Sequence, residues 1–270
     1  MLGNGKVLVA GGIDHLYGYL NSAELYDPAT GVWTKTGNMS FVRYGHTASM
    51  LGNGRVLVTG GYGYDRFSNS AELYDPATGV WTKTGNMSVA RYYHTASMLG
   101  NGKVLVAGGI EDGNGNSNSA EFYDPATGVW TKTGNMNITR WAHTASMLGN
   151  GKVLVAGGYD YINRYSGSSE LYDPATGVWT RTGNMSVARY YHTASMLGNG
   201  KVLVAGGIDD FDDRLNSAEL YDPATGVWTK TGNMSFARIY HTASILSNGK
   251  VLVAGGYDYF VHFNSAELYT

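Results

Sequence analysis

One eleven-residue phrase recurs six times along this chain. It reads LGNGKVLVAGG at residues 99–109, and close copies begin at Leu2, Leu51, Leu148, Leu197 and Leu246. Successive copies start 49, 48, 49, 49 and 49 residues apart. A fixed period of this size means that one supersecondary unit is stacked repeatedly, because a single unit of that length cannot bury its own apolar face. The 270 residues alone would suggest one or two ordinary domains. The period instead predicts a single domain over 1–270, built from repeats at about 1–42, 43–90, 91–139, 140–188, 189–237 and 238–270.

Residues 91–136 give one full unit. A short β-compatible run, Tyr93 to Leu99, leads into Asn101-Gly102. Asn-Gly between two such runs predicts a type I′ hairpin, in which both residues take positive φ. Lys103 to Ala107 is apolar on both faces, so it reads as a strand buried on both sides. Gly108-Gly109 ends it where backbone freedom or close approach is needed. An irregular stretch then runs to Ser119. A third strand covers Ala120 to Tyr123, Asp124-Pro125-Ala126-Thr127-Gly128 makes a turn, and a fourth strand covers Val129 to Thr133. No helical periodicity of useful length occurs. Four short antiparallel strands per unit, repeated at this period, describe a propeller blade.

Gly108-Gly109, Tyr123 and Trp130, preceded by Arg91 and His94, resemble the kelch motif, and the resemblance recurs in every copy. It implies an all-β, six-bladed kelch-type β-propeller with four-stranded antiparallel blades, the first strand of each innermost around a central channel. The first and last blades are expected to be incomplete. The Gly-Gly and Glu-Leu/Phe-Tyr strands each occur six times, whereas the Arg-x-x-His and Val-Trp strands occur five times each. The array therefore starts on the second strand of one blade and stops after the third strand of another. A five-bladed ring with surplus strands is the alternative count. Either arrangement leaves strand edges unpaired, which invites self-association or strand exchange. The near-identity of the copies points to recent amplification, an excised fragment or an engineered chain, and does not choose among them.

Bulk chemistry narrows the partners. Nineteen Lys and Arg against 21 Asp and Glu leave the chain near neutral, so charge gives no reason to expect a nucleic-acid or anionic-membrane partner. The apolar runs are of strand length, which predicts no membrane helix, and no leader is expected ahead of the repeat that Met1 enters directly. The absence of cysteine removes disulfides and thiolate metal sites. It also removes the crosslinked Tyr-Cys of galactose oxidase, which the kelch-like copper oxidases resemble.

Alternating strand direction should place the Asn-Gly and Asp-Pro-Ala-Thr-Gly turns on one face and the remaining connections on the other. The first pair scarcely changes between copies. Nearly all divergence lies in the second pair: the loops 13–22, 62–70, 110–119, 159–168, 208–217 and 257–265, and crossover positions such as Phe41, Val42, Tyr44, Gly45, Ile138, Thr139, Trp141, Ala142, Ile239 and Tyr240. Ten of the 21 acids lie in these loops, offset there by Arg66, Arg164 and Arg214. A composition rich in Tyr, Asp, Gly, Asn and Ser matches antibody paratopes. The candidate ligand-binding residues on this face are Tyr17, Tyr19, Tyr44, Tyr64, Arg66, Tyr92 and Trp141, with Tyr161, Arg164, Tyr190, Phe211, Arg214, Tyr259 and Phe260. Drift in unconstrained loops is the bland alternative; the number of loop aromatics speaks for binding.

Other chemistry is weighed against structure. The five histidines His46, His94, His143, His192 and His241 each follow an arginine by three residues, which favours a hydrogen-bonding niche between blades over a metal ring. Arg43, Arg91, Arg140, Arg189 and Arg238 sit at the rim of the variable face. Their constancy favours a structural role, pairing with loop acids or capping blade backbone, although related kelch domains use rim arginines for acidic peptides. Asp209, Asp210, Asp212 and Asp213 lack a calcium-loop register and read as a solvated acidic loop. No unique acid–base constellation breaks the internal symmetry, so an enzyme is not expected. The expected function is non-enzymatic recognition of a protein or peptide, with no cofactor and no metal. A ligand-free structural propeller and a carbohydrate-binding one remain alternatives. A buried Trp130 would lose about 3–5 kcal/mol on truncation to alanine.

Overall fold

The structure, a computed structural model, describes residues 1–270 apart from 15, 17, 114, 161–163, 260 and 270, and omits the side chains of 164 and 165. Among the described residues all regular structure is β, with no helix. The chain divides into two compact units, Met1–Thr133 and Gly134–Thr270. Each contains three antiparallel blade sheets.

In the first unit the sheets are Val7–Ala10 with Ala23–Asp27 and Val32–Lys35; Thr47–Met50 with Val56–Thr59, Ala71–Asp75 and Val80–Lys83; and Thr95–Met98 with Val104–Ala107, Ala120–Asp124 and Val129–Lys132. In the second they are Thr144–Met147 with Val153–Ala156, Ser169–Asp173 and Val178–Thr182; Thr193–Met196 with Val202–Ala205, Ala218–Asp222 and Val227–Lys230; and Thr242–Ile245 with Val251–Ala254 and Ala266–Tyr269. The first and last sheets have three strands each, as the strand inventory of the sequence requires. Within each unit the leading strands lie side by side, Thr47–Met50 beside Thr95–Met98, and Thr193–Met196 between Thr144–Met147 and Thr242–Ile245.

The apolar second strands carry the core. Val104, Leu105, Val106 and Ala107 are all buried, which is the two-sided burial that their unbroken apolar run predicts. Val9 departs from this pattern. Its counterpart Val58 is fully buried, whereas Val9, in a three-stranded sheet, is 49% exposed. Between neighbouring sheets the layers interlock: Leu51, Leu57 and Ala71 pack with Val104 and Tyr123 in the first unit, and Leu154 and Ala156 with Val202, Val204 and Tyr221 in the second.

Tyrosine and tryptophan stitch one sheet to the next. The Tyr123 hydroxyl shares a 2.8 Å hydrogen bond with Thr84 Oγ1 of the preceding repeat, and Tyr221 does the same with Thr182 at 2.8 Å. The indole N–H groups of Trp81, Trp130 and Trp179 donate to the carbonyls of Gly37, Gly85 and Gly134, each at 2.7 Å. Glycine is required at the receiving position. A Cβ on Gly183 would collide with the carbonyl oxygen of Gly226 in the next repeat.

Two sequence expectations need correction. The Asn-Gly turn is not type I′. Gly102 alone takes positive φ, at 80°, while the Leu99 N–H donates to the Lys103 carbonyl around it at 2.8 Å and Asn101 Oδ1 accepts the Lys103 N–H at 3.1 Å. That is a three-residue hairpin closed by a left-handed glycine, with the Asn side chain standing in for a backbone acceptor. The loops after Gly-Gly are not irregular either. Tyr62–Gly63 pairs with Arg66–Phe67, Ile110–Glu111 with Gly115–Asn116, and Tyr257–Asp258 with Val261–His262, so each loop is a small hairpin. Period-2 patterning is invisible in strands of two residues.

Trp130 is also less enclosed than the full-burial expectation assumed: it is half-buried, its ring tilted against Tyr123 at 5.1 Å. Trp179 and Trp228 are buried, while Trp33 is 51% exposed. Trp179→Ala is expected to destabilise the fold by about 3–5 kcal/mol, the range for large aromatic truncations in a core. Trp33→Ala should lose less than about 1 kcal/mol, as exposed substitutions do. Urea denaturation of both variants checks the contrast, and equal losses would contradict the packing described.

Candidate binding face

In every complete sheet the register fixes which connections share an end. Met98 is opposite Val104, Val104 opposite Tyr123 and Asp124 opposite Val129, so the Asn-Gly and Asp-Pro-Ala-Thr-Gly turns sit together. A salt bridge joins them: Lys103 to Asp124 at 3.2 Å, repeated as Lys152 to Asp173 at 3.3 Å and Lys201 to Asp222 at 3.1 Å. At the other end Ala107 is opposite Ala120, and there the variable loop meets the crossover strand. Backbone bridges connect the two: Tyr44 to Tyr62, Trp141 to Tyr159, Tyr190 to Ile208 and Ile239 to Tyr257, with Arg91–Tyr92 pairing Ile110–Glu111.

This end is anchored by five arginines. Arg43, Arg91, Arg140, Arg189 and Arg238 are all fully buried. Arg189 shows the pattern: Nη1 donates to the carbonyls of Gly206 at 2.9 Å and Ser217 at 3.0 Å, and Nη2 to Ser217 Oγ at 3.2 Å and Glu219 Oε1 at 3.1 Å. The other oxygen of Glu219 accepts the Ser186 N–H at 2.8 Å. The matching ion pairs are Arg43–Glu72 at 2.9 Å, Arg91–Glu121 at 3.2 Å, Arg140–Glu170 at 3.0 Å and Arg238–Glu267 at 3.0 Å. The arginines are structural, and their repeated partner is the third-strand glutamate. A loop acid joins in at Arg91, where Glu111 lies 3.4 Å away. The guanidinium groups therefore do not present themselves to a ligand.

The histidines fill the niche between repeats. His94 Nε2 is 2.9 Å from Thr47 Oγ1 and 3.2 Å from Thr59 Oγ1, His192 is 3.0 Å from Thr144 Oγ1, and His241 is 2.9 Å from Thr193 Oγ1. Gly60 is needed to admit this group, since a Cβ there would stand 2.5 Å from the Arg91 carbonyl and 2.6 Å from the His94 ring. Burial, reinforced by the neighbouring arginine charge, pushes His46 and His241 down to about 4 and His143 to about 3; His192 is lowered in the same way. Among the described residues no group of three or more His, Cys, Asp or Glu is placed to hold a metal.

Aromatic rings cover the anchored end. In Met1–Thr133, Tyr19 lies 6.5 Å from Tyr44 and 5.5 Å from Tyr62, and Tyr92 lies 5.7 Å from Tyr62 and 5.1 Å from Phe67. The hydroxyls of Tyr44 and Tyr93 are hydrogen-bonded. In Gly134–Thr270, Trp141 lies 5.4 Å from Tyr159 and 5.8 Å from Tyr190, and Tyr191 lies 4.4 Å from Tyr240. Tyr19, Tyr44, Tyr92, Trp141 and Tyr190 are half-buried by these contacts rather than free on the surface. Tyr64 and Phe211 are exposed, at 70% and 79%, and Tyr259 is exposed beneath Arg214, whose guanidinium is 4.1 Å from its ring. Arg66 is exposed and stacks on Phe41 at 4.9 Å. Arg164 belongs to a short loop strand, with its side chain outside the description, and Tyr17, Tyr161 and Phe260 lie outside the described residues.

Sequence reasoning missed Tyr93 and Tyr191 as members of this array, and named Tyr240 as a variable crossover position without making it a candidate binding residue. They directly precede the histidines, and all take left-handed backbone, with φ of 53°, 55° and 54°. The signal was present at the equivalent Gly45, since glycine marks a position that demands positive φ.

The family comparisons agree with this architecture. The profile described as KLHDC2/KLHL20/DRC7 Kelch-repeats domain matches residues 82–256, and the Kelch motif matches residues 2–40 and 43–88. The chain belongs to the kelch-repeat family. Its sheets are kelch-type β-propeller blades, and kelch repeats generally mediate protein–protein interaction in domains that are typically non-enzymatic. No curated protein matches the chain.

The kelch arginine–glutamate pair should be unforgiving. Arg189→Met leaves Glu219 buried without its cation and is expected to destabilise by about 3–5 kcal/mol in urea denaturation. Arg189→Lys should not restore stability, because an ammonium cannot reproduce the forked contacts. The histidines set an acid limit. The folded-state pKa values of His46, His143, His192 and His241 lie below the unfolded 6.5, so the unfolded chain binds more protons and stability falls as pH drops from about 6.5 toward 4. Thermal melts followed by tryptophan fluorescence should shift down through that window, and a flat profile would contradict the burial of the rings.

Proposed function

We propose that residues 1–270 form one non-enzymatic binding scaffold that recognises a protein or peptide through the variable loops and crossovers. The observation that carries this reading is the bridge between each loop and its crossover, such as Trp141 to Tyr159 and Tyr190 to Ile208. Two segments that differ from copy to copy are thereby held together over a buried arginine–glutamate base that does not differ. A rigid base with individual loops is the physical arrangement by which a scaffold acquires specificity. Rigid tyrosines give large contact area for little conformational entropy, and short Asp, Asn and Ser side chains add adjustable hydrogen bonds. The kelch family's general role in protein–protein interaction is in keeping with this reading. Within it, Tyr19, Tyr44, Tyr64, Arg66 and Tyr92 serve one unit, and Trp141, Tyr190, Phe211, Arg214 and Tyr259 the other.

The test exchanges the six variable loops for one consensus loop while leaving every Arg-x-x-His and Gly-Gly intact. The consensus loop keeps the Ile or Tyr after Gly-Gly and the serines that meet the arginines, so the exchanged protein should melt close to the parent. Panning a displayed random-peptide library against the parent should yield peptides that the exchanged protein no longer holds. Peptides retained equally by both proteins would overturn the assignment of recognition to this face.

A further inference from the structure

The outer side of the last sheet in the unit Gly134–Thr270 is open. Its strands are Thr242–Ile245, Val251–Ala254 and Ala266–Tyr269, and among the described residues no fourth strand pairs with Ala266–Tyr269. In the two four-stranded sheets of the same unit that edge is filled by a Val-Trp strand. There Glu219, Leu220 and Tyr221 stand opposite Lys230, Thr229 and Trp228, and Glu170, Leu171 and Tyr172 opposite Arg181, Thr180 and Trp179. The last strand is correspondingly uncovered: Tyr172 and Tyr221 are fully buried, whereas Tyr269 is half-buried and Leu268 is 52% exposed. Unpaired N–H and C=O groups along such an edge are a template for another strand.

A pocket beside this edge repeats the surroundings of Trp228. Trp228 packs in a cluster with Leu154, Ala156, Met185, Val204 and Tyr221. The counterparts one repeat further on, Leu203, Ala205, Met234, Val253 and Tyr269, line the pocket. Its floor holds its position without an indole, because the Tyr269 hydroxyl shares a 2.8 Å hydrogen bond with Thr231 Oγ1, as Tyr221 does with Thr182. Gly232 completes the correspondence. Trp179 and Trp228 donate to the carbonyls of Gly134 at 2.7 Å and Gly183 at 3.0 Å, and Gly232 is the next glycine in that series. It is exposed, and among the described residues no indole donates to it. A Cβ on Gly134 or Gly183 would collide with the carbonyl of Gly177 or Gly226, the residue just before the Val-Trp strand, whereas a Cβ on Gly232 meets nothing within 4 Å.

We propose that the outer edge of Ala266–Tyr269 captures an extended segment of another polypeptide with the pattern Gly-Val-Trp-Thr-Lys, which adds as a fourth antiparallel strand. The tryptophan ring enters the pocket over Tyr269, and its N–H donates to the Gly232 carbonyl. Main-chain hydrogen bonds along the edge give such capture its affinity, and the side-chain pocket gives it specificity. Walls that are already in place lower the ordering cost of binding. A second copy of this chain is the less suited donor, since all five of its Val-Trp strands are paired. Even the exposed Val32–Lys35 holds four residue pairs with Ala23–Asp27 and packs Trp33 against Tyr26 at 5.0 Å. The site follows a strand edge and not the variable loops, so it does not depend on recognition by those loops.

The test titrates the intact chain into a fluorescein-labelled peptide, Asp-Pro-Ala-Thr-Gly-Val-Trp-Thr-Lys-Thr-Gly, and follows fluorescence anisotropy. The peptide should bind, and a peptide with alanine in place of its tryptophan should bind about tenfold more weakly. Gly232→Ala should melt as the parent does, because its Cβ meets nothing. It should nonetheless hold the peptide about tenfold more weakly, because that Cβ would stand where the peptide's glycine carbonyl must lie. Absence of saturation below about 1 mM, or binding that ignores both changes, would overturn the proposal. Equal binding of a scrambled peptide of the same composition would overturn it too. Dimerisation of the chain on sedimentation, lost in Gly232→Ala and undiminished by the peptide, would overturn it in favour of a second copy at this edge.

Discussion

A guanidinium withdrawn from water must find partners for its N–H groups, and in the five repeats that carry one it finds them in two backbone carbonyls, a serine hydroxyl and a glutamate. Arg189 reaches Gly206, Ser217 and Glu219, and the same glutamate turns its second oxygen to the Ser186 N–H at the mouth of the crossover. One buried ion pair thereby fixes the end of the second strand, the start of the third and the chain entering the first. Buried pairs of this kind are weak sources of net stability, because desolvation offsets most of the attraction. What they contribute is geometry: removing either partner leaves an unmatched charge, so the crossover has one permitted position. The carbonyl of the arginine itself carries the constraint to the neighbouring repeat, where the Gly207 N–H donates to the Arg238 oxygen at 2.9 Å. Within each unit, neighbouring repeats are registered on one another through the residue that anchors a repeat internally.

That registration explains why the two ends of a blade diverge so differently. At one end, Lys103–Asp124 and its copies, the left-handed glycines and the Asp-Pro-Ala-Thr-Gly turns leave little freedom, since each residue answers a local backbone demand. At the other end, the arginine, the glutamate and the double glycine do the positioning, and the segments they hold need only meet one another through a short backbone bridge. Glu111 folds back onto Arg91, and its Oε1 accepts the Ser119 hydroxyl at 2.6 Å, so even a variable loop can be drawn into the base where its side chain permits. Elsewhere the exposed loop residues, such as Tyr64 and Phe211, differ without disturbing a core layer.

Much of this was legible in the sequence, and for identifiable reasons. The period of the LGNGKVLVAGG phrase, the unbroken Val-Leu-Val run and the spacing of Tyr and Trp report contacts that recur identically, so sheet number, strand order and incomplete end sheets follow from counting. The histidine niche was legible because each histidine keeps its distance from an arginine, and threonine partners recur one repeat away. The arginine's partner was not, because Arg189 and Glu219 are separated by a loop of arbitrary composition and local patterning says nothing about contacts across it. The loop hairpins escaped because two-residue strands carry no periodicity. The half-burial of Tyr92 and Tyr190 escaped for a related reason: rings on successive repeats shield one another, and a sequence read copy by copy treats each as solitary.

The residue before each histidine deserves the same physical reading. Gly45, Tyr93, Ala142, Tyr191 and Tyr240 all occupy left-handed backbone, so the conformation belongs to the fold and not to the side chain. The cause lies in its neighbours. The preceding residue must bridge to the variable loop, as Tyr190 does to Ile208, while the following histidine must turn its ring into the niche of the previous repeat, as His192 does at Thr144. Reversing direction between two fixed anchors within one residue demands positive φ. A Cβ at that point adds an unfavourable contribution, and the side chain it carries is held at the anchored end whatever its identity. The kelch scaffold therefore supplies, at a single strained position per repeat, a rigid platform whose chemistry is free to change from glycine to a full aromatic ring without altering the blade beneath it.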